Sequence, residues 1–191
     1  MSQTVGNVSA AKPVVAGAVF RAPLSNSLTL PTDATTALSG FTSMGYVSVD
    51  GLTNGNAFNS SAIYAWGGDA VLMTENEKAD TFVFTLLETL NANVSKAIYG
   101  DDNVTTSTDD MITIKKKADE FEEAAWVFDM KVRGGKLKRI VVPDAKITAL
   151  GDIVYQDNNV TGYPVTLSAM PDTNGVFHYE YIEDEPATAG T

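Results

Sequence analysis

The sequence predicts a mainly β domain, arranged as a barrel or a sandwich, with one short helix. Several segments alternate apolar and polar residues with the two-residue period of a strand, and glycine- and asparagine-rich turn signals separate them. One short segment shows helical spacing instead. Of the 191 residues, 44% are hydrophobic and 19% are charged, which is typical of a globular chain that buries a sizeable core.

Two segments show the strand period most clearly. Phe82, Phe84 and Leu86 share one face of a predicted strand, and residues 126–133 alternate in the same way. Two glycines follow the second segment and predict a tight hairpin, because glycine reaches positive φ without steric cost. Further strands are predicted at residues 46–49, 63–66, 71–75, 111–116, 136–142, 152–155, 163–170 and 177–182.

The predicted helix spans residues 91–99. Its apolar residues lie at helical spacing, Asn91 or Asn93 is placed to cap its start, and Gly100 follows as a C-terminal stop. No internal repeat or linker divides the chain. We therefore expect a single domain over residues 1–191, with a folded core from about 13 to 183 and loose ends.

A long polar stretch interrupts the strand signals at residues 48–61. It is rich in Ser, Thr, Asn and Gly and is longer than a hairpin turn requires. We expect a long inter-strand loop there that serves as an interaction arm, with an ordinary surface loop as the alternative. Gly67 and Gly68 join two predicted strands and lack the Gly-Lys-Ser/Thr ending of a phosphate-binding loop, so they predict a hairpin turn.

The residue types present argue against most catalytic sites. The chain has no cysteine, which excludes disulfides, thiolate nucleophiles and cysteine-based metal centres. Its single histidine, His178, excludes a centre with several imidazole ligands and is expected to lie exposed on a strand beside Glu180. No Gly-x-Ser-x-Gly elbow is present. We therefore predict no enzyme, no cofactor and no metal site, and the short apolar runs predict no membrane insertion.

Charge is distributed unevenly along the chain. The formal net charge is −11, but residues 111–146 carry about +3 and the remainder about −14. Such acidity argues against nucleic-acid binding through the overall field. The asymmetry favours self-association, in which a basic patch of one copy meets an acidic patch of another, while ordinary solvated charges are the alternative. The candidate basic assembly patch consists of Lys115, Lys116, Lys117, Lys136, Lys138 and Arg139.

Short sequence runs occur in an order that resembles a known family. The runs that carry the resemblance are AVFRAP (18–23), LPTDA (30–34), GYVS (45–48), DGL (50–52), AWGGD (65–69), Phe82 with TLLE (85–88), YGDDNV (99–104), LKRIVVPDAKI (137–147), GDIVY (151–155) and GYPVTL (162–167). In their order, over roughly residues 15–182, the chain is similar to the major tail proteins, or tail tube proteins, of long-tailed (siphovirus-type) bacteriophages. No single run is diagnostic, but the ordered set is specific.

The resemblance implies a tail-tube-type β-barrel or β-sandwich subunit of the virion. Such subunits close into hexameric rings, and the rings stack into the tube through which double-stranded DNA leaves the capsid without specific binding. The implied partners are further copies of the chain, a tape measure protein, and tail-tip and tail-terminator proteins. Assembly is expected in the host cytoplasm.

The expected contacts between subunits or rings lie in residues 48–77. The candidate contact residues are Asn54, Asn56, Phe58, Trp66, Gly67, Gly68 and Asp69.

Two other function classes stay open at this point. One is a carbohydrate-binding or adhesin-like β-sandwich that would use Trp66, Tyr64 or Tyr163 as a stacking platform. The other is a hydrolase with paired carboxylates, because 24 acidic residues leave many possible pairs. Neither accounts for the ordered resemblance.

Overall fold

The computed structural model describes residues 7–14, 17–109 and 111–186, apart from the side chains of residues 76 and 77. Within these residues it has eleven strands, one α-helix and one short 3-10 helix, so the predicted mainly β class is confirmed. The helices are α1 (Ala92–Tyr99) and the 3-10 helix Asp101–Asn103. The strands are β1 (Ala11–Pro13), β2 (Val19–Pro23), β3 (Thr42–Ser43), β4 (Thr53–Tyr64), β5 (Ala70–Leu86), β6 (Val104–Thr106), β7 (Ile112–Ile114), β8 (Ala124–Val132), β9 (Lys136–Leu150), β10 (Tyr163–Ala169) and β11 (Tyr179–Asp184).

Nine of these strands form one antiparallel sheet. The order is β3-β2-β8-β9-β10-β5-β4, with β1 paired to the end of β8 and β11 paired to the start of β9. Strands β6 and β7 form a separate two-stranded sheet. The order ends at β3 and β4, so the main sheet is open and corresponds to the sandwich rather than to a closed barrel. At the opening, Val47 forms an isolated bridge with Leu86.

The core lies on the inner face of the curved main sheet. Phe82, Phe84 and Leu86 are buried there as the alternation predicts, together with Trp126 and Phe128 from β8. The ring of Phe82 stacks on that of Phe128 with 5.3 Å between centroids, and Phe84 meets Phe128 edge-on at 5.5 Å. Burial of each such side chain contributes about 1.5–3 kcal/mol, so these rings are a main source of stability.

Helix α1 covers one side of this core. Its N-cap is Asn91, whose side-chain oxygen accepts a hydrogen bond from the backbone N–H of Asn93 at 3.0 Å. Its C-cap is Gly100, which has φ +92° and donates its N–H to the carbonyl of Lys96 at 2.8 Å. Val94, Ala97 and Ile98 are buried against the sheet, so the predicted helix and its buried face are confirmed.

Three predicted elements differ from the structure. Residues 46–49 contain only the isolated bridge at Val47, and residues 152–155 form no strand. The long loop predicted at residues 48–61 was also wrong, because β4 begins at Thr53. The polar and glycine-containing sequence of β4 has low strand propensity, but its backbone pairs with β5 along its whole length. The two short strands predicted at residues 63–66 and 71–75 are therefore the far ends of one long hairpin.

Of the predicted loose ends, before about residue 13 and after about residue 183, residues 1–6 and 187–191 lie outside the described residues. Within the described part of these ends, β1 pairs with β8 and the last residue of β11 pairs with β9.

Candidate assembly surface

Strands β4 and β5 form a hairpin that is much longer than the sheet to which it belongs. Pairing runs from Thr53 opposite Val83 to Tyr64 opposite Ala70. We call residues 56–78 the arm. Almost every described side chain of the arm is exposed, on both faces of the ribbon, so the arm extends away from the body instead of packing on it. Nine residues of β4 lie in the arm, which corresponds to a length of about 30 Å.

The arm exposes an unusual number of large apolar side chains. Trp66 is fully exposed, and six others are at least 48% exposed. The set is Phe58, Ile63, Tyr64, Trp66, Val71, Leu72 and Met73. Apolar groups concentrated on one exposed element mark a surface that becomes buried in a complex.

The tip of the arm is a tight turn. The N–H of Ala65 donates to the carbonyl of Asp69 at 2.8 Å, and the N–H of Gly68 donates to the carbonyl of Ala65 at 3.0 Å. Gly67 and Gly68 have φ values of +121° and +98°, which residues with a side chain adopt only at a cost. The predicted hairpin turn is confirmed, and it presents Trp66 at the far end of the arm.

The arm has two free edges in the described part of the chain. One belongs to the outer part of β5, which β10 pairs only from Thr81 onward, and the other belongs to β4, the last strand of the main sheet. Its unpaired backbone groups are a template for another strand, and natural proteins usually protect such an edge with charges, proline or bulges. The twelve residues of β4 include no charged residue and no proline. The ladder has irregularities after Asn59 and after Ile63, which twist the ribbon but leave the outer edge uncovered.

A polar cluster, which we call the root, fixes the base of the arm. Asp80 is 95% buried, and one of its carboxylate oxygens accepts a hydrogen bond from the side-chain amide of Asn54 at 2.6 Å. Its other oxygen is hydrogen-bonded to Nδ1 of His178. The same Asn54 amide also reaches the carbonyl of Thr81 at 3.1 Å, and Asn56 donates to the Asn54 oxygen at 2.7 Å. We infer that these hydrogen bonds, centred on the buried carboxylate of Asp80, set the direction in which the arm leaves the body.

The placement of His178 corrects the sequence prediction. It was expected to lie exposed on a strand beside Glu180. Its Nε2 atom does lie 3.9 Å from a carboxylate oxygen of Glu180, but β11 begins one residue later, at Tyr179, and the His178 side chain is only 21% exposed. Its ring meets that of Phe82 edge-on, with 5.5 Å between centroids. The hydrogen bond between His178 and Asp80 could not be predicted from a local sequence pattern, because the two residues are 98 positions apart in the sequence.

Comparison with known proteins decides the family. A protein-family model described as "Phage tail tube protein" matches residues 7–191. The chain belongs to the phage tail tube protein family. Among curated proteins, the comparison finds no match. Family membership confirms the resemblance identified in the sequence and makes this tail tube protein a structural component of the phage tail.

The candidate contact residues of this tail tube protein all lie on one hairpin. Asn54 and Asn56 form part of the root, Phe58 lies along the arm, and the others form the tip, which consists of Trp66, Gly67, Gly68 and Asp69. Sequence reasoning did not place the apolar residues on the returning strand in this set. They are Val71, Leu72 and Met73, and the signal for them was the run of apolar residues directly after the turn.

The candidate basic patch does not form one surface. Lys115, Lys116 and Lys117 precede β8, whereas Lys136 and Lys138 lie opposite the far end of β8, about 25 Å away along the strand. The second group is also neutralised within the chain. Lys136 binds Asp184 at 2.6 Å, and Lys138 binds Glu180 at 2.8 Å.

Arg139 is not a surface residue. It is 96% buried, and its guanidinium makes two hydrogen bonds to the Asp129 carboxylate, at 2.6 and 2.8 Å. Its remaining nitrogen donates to the carbonyls of Thr36 at 2.8 Å and Asp33 at 3.1 Å. Such a bidentate, charge-assisted pair is a structural clamp that holds the loop before β3 against β8 and β9. We therefore remove Arg139 from the assembly patch.

The aromatic platform of a carbohydrate-binding module is not assembled either. Tyr64 and Trp66 are exposed on the arm, but Tyr163 is 96% buried beside Tyr99. Burial in the core is the main reason that the pKa of Tyr163 is raised to about 12. The three rings therefore do not share a surface.

The described residues hold neither a metal-binding cluster nor a membrane-spanning helix. In residues 7–14, 17–109 and 111–186, no group of three or more His, Asp or Glu side chains is arranged to hold a metal ion. No helix of the described part of the chain is long and apolar enough to cross a membrane.

Proposed function

We propose that this chain is the major tail tube subunit of a long-tailed, siphovirus-type phage. Copies close into hexameric rings, and the rings stack into the conduit for DNA ejection. The observation that carries the proposal is the arm, which combines an uncharged, unpaired edge strand with exposed apolar side chains over about 30 Å. A single-domain subunit with this role needs no catalytic group.

Contacts between copies follow from the chemistry of the arm. Another copy satisfies the free backbone groups of β4 by adding a strand to its edge, which extends the sheet from one subunit to the next. A repeated contact of this head-to-tail kind closes into a ring when its rotation divides a circle, and stacking of rings gives an open filament. Candidate contacts are the exposed arm residues together with Lys115, Lys116 and Lys117.

The remaining partners follow from the family resemblance. A tape measure protein sets the length of the tube, while tail-tip and tail-terminator proteins bind its two ends. Assembly takes place in the host cytoplasm. The net charge of −11 favours a wall that repels DNA, so that the genome moves without adhering. Tight binding of DNA to assembled tubes at low salt would contradict this role for the acidic residues.

Electron microscopy of an arm-shortened variant tests the proposal. Residues 57–79 are replaced by Asn-Gly, which keeps the pairing of Asn56 with Asp80 and supplies a favourable two-residue turn. The wild-type chain, with tail-tip components added if necessary, is expected to give tubes of uniform width. The variant is expected to stay monomeric, with a cooperative thermal unfolding transition and a circular dichroism signal that loses only the contribution of the deleted strand residues. A matched control deletes Asn158 and Asn159 from the exposed loop before β10. Normal tubes from the arm-shortened variant would overturn the assignment.

A further inference from the structure

An apolar groove lies at the open side of the main sheet. It has a volume of about 370 Å³. Its floor is the core itself, with Val19, Phe128 and Ile140 buried beneath it, and the half-buried side chains of Leu52 and Met130 form its walls. Strands β3 and β4 do not pair, and β1 together with residues from the segment 47–54 lines the groove along with residues of β2, β8 and β9. An apolar depression of this size accommodates one large side chain.

The rim of the groove is polar and carries one available cation. Lys138 and Glu180 both lie on the rim, but they bind each other at 2.8 Å. Lys12 lies on the rim as part of the exposed strand β1. Within the described residues, Lys12 is part of no ion pair. The groove therefore offers an apolar interior next to a positive charge.

The tip of the arm has the complementary chemistry. Trp66 is fully exposed there, and Asp69 is exposed three residues later. Asp69, like Lys12, takes part in no ion pair among the described residues. A tip that carries an indole ring and a carboxylate matches a groove that has an apolar interior and an ammonium group at its rim.

The arm of the same chain does not reach this groove. Asn54 lines the groove at the point where β4 leaves the body, and Tyr64 lies ten residues further along the same paired strand. Ten residues of strand span about 33 Å. The tip is therefore held far from its own groove as long as the hairpin is intact, and it is available to a second copy.

We propose that the groove binds the arm tip of a second copy of this chain. Trp66 of one copy enters the groove of its neighbour, and the Asp69 carboxylate lies beside Lys12. This inference rests on the proposed tube function and assigns the surface that receives the arm. Other occupants, such as the chain's own N-terminal segment or a tape measure segment, predict different results in the tests below.

Site-directed cross-linking tests the contact directly, because the wild-type chain contains no cysteine. Two single variants, Asp69→Cys and Lys12→Cys, are mixed, assembled into tubes and oxidised. We expect a disulfide-linked heterodimer as the main product on a non-reducing gel. The matched control replaces Asp69→Cys with Asp157→Cys, an exposed acidic position in the loop before β10, and is expected to give less than a tenth of that product.

Charge reversal provides a second test that does not depend on oxidation. Lys12→Glu and Asp69→Lys each place like charges together, and we expect each to raise the critical concentration for assembly at least threefold at low salt. The double variant restores opposite charges in every contact and is expected to return to within a factor of two of wild type. Trp66→Ala removes the apolar anchor and is expected to raise the critical concentration at least tenfold, whereas Tyr155→Ala, at another exposed aromatic residue, leaves it unchanged.

The outcomes separate this inference from the proposed function. If tubes form and the tip-to-rim heterodimer is no more abundant than the control product, the groove is not the receiving surface, although the tube function stands. Additive effects of the two charge reversals would overturn the inference in the same way. If the wild-type chain forms no ring or tube even with tail-tip components, both proposals fail.

Discussion

The root predicts a strong energetic coupling between Asp80 and His178. Asp80→Ala removes an acceptor that binds both Asn54 and His178, and hydrogen bonds to a charged group contribute about 1.5–3 kcal/mol each. Because Asn54 retains its bond to the Thr81 carbonyl, we expect a net loss of about 3 kcal/mol in the free energy of unfolding. For a chain of this length, that loss corresponds to a fall in Tm of about 6–12 °C.

His178→Ala is expected to cost about 2–3 kcal/mol, since it leaves a buried carboxylate with fewer donors. The variant that carries both substitutions is expected to lose only about 3–4 kcal/mol in the free energy of unfolding, because it contains neither a His178 nor an Asp80 side chain that lacks its hydrogen-bond partner. The resulting coupling energy of about 2 kcal/mol is measured by urea denaturation of the four proteins, at concentrations below that of assembly.

The arm itself supplies a matched control for this cycle. Glu75 and Lys78 form an ion pair at 2.9 Å, but both side chains are more than half exposed. An exposed pair of this kind contributes about 0–1 kcal/mol, so the same double-mutant cycle should give little coupling. Independent sites have effects on the free energy of unfolding that add to within about 0.5 kcal/mol. If the effects of the Asp80 and His178 substitutions added in this way, the hydrogen bond between Asp80 and His178 would not be what fixes the base of the arm.

Three further predictions concern the body of the subunit. Asp129→Ala leaves the guanidinium of Arg139 buried without its carboxylate and is expected to lower the free energy of unfolding by about 3–5 kcal/mol, measured by urea denaturation. Asn91→Ala removes the N-cap of α1 and is expected to cost about 0.5–2 kcal/mol in the same assay, with little change in helix content. The hydroxyl of Tyr179 donates to Asp172 at 2.7 Å and is the main cause of the lowered pKa of that carboxyl, so Tyr179→Phe should raise this pKa towards its ordinary value of 3.8 in an NMR titration. A carboxyl group whose pKa is lowered in the folded state stabilises the fold at pH values above its ordinary pKa. This contribution is lost as the pH falls through the folded-state pKa. The wild type should therefore have a higher free energy of unfolding than Tyr179→Phe at neutral pH, and this difference should disappear in acid.

The elements that sequence analysis predicted correctly are those in which local pattern and burial agree. Phe82, Phe84 and Leu86 alternate with less buried residues, and the structure buries all three. The helix after Asn91 was predictable because its cap, its apolar face and its glycine stop are all encoded within ten residues. A helix or strand can be predicted from a single sequence when such local signals agree with one another.

The elements that were missed depend on distant partners. The polar sequence of β4 gives no strand signal, and it is a strand because β5 pairs with it. A count of charges identified Arg139 as basic, but its burial depends on a carboxylate and on loop carbonyls that only the fold brings together. The root could not be inferred for the same reason. The candidate contact residues, which stay a prediction, all lie on one hairpin, because its turn and its exposed aromatic residues are local in sequence.

The arm and the root together explain how the proposed assembly surface is kept from collapsing onto the body. A two-stranded ribbon with water on both faces is marginally stable alone, and its apolar side chains would favour packing onto the body. The root opposes this by holding both strands at Asn54 and Asp80, where buried hydrogen bonds fix the direction of the ribbon. The outer part then has few contacts to lose and can fray or adapt without unfolding the core. In the proposed assembly, binding to another copy would supply the missing apolar burial and strand pairing, so the arm would gain most of its order at the contact between subunits.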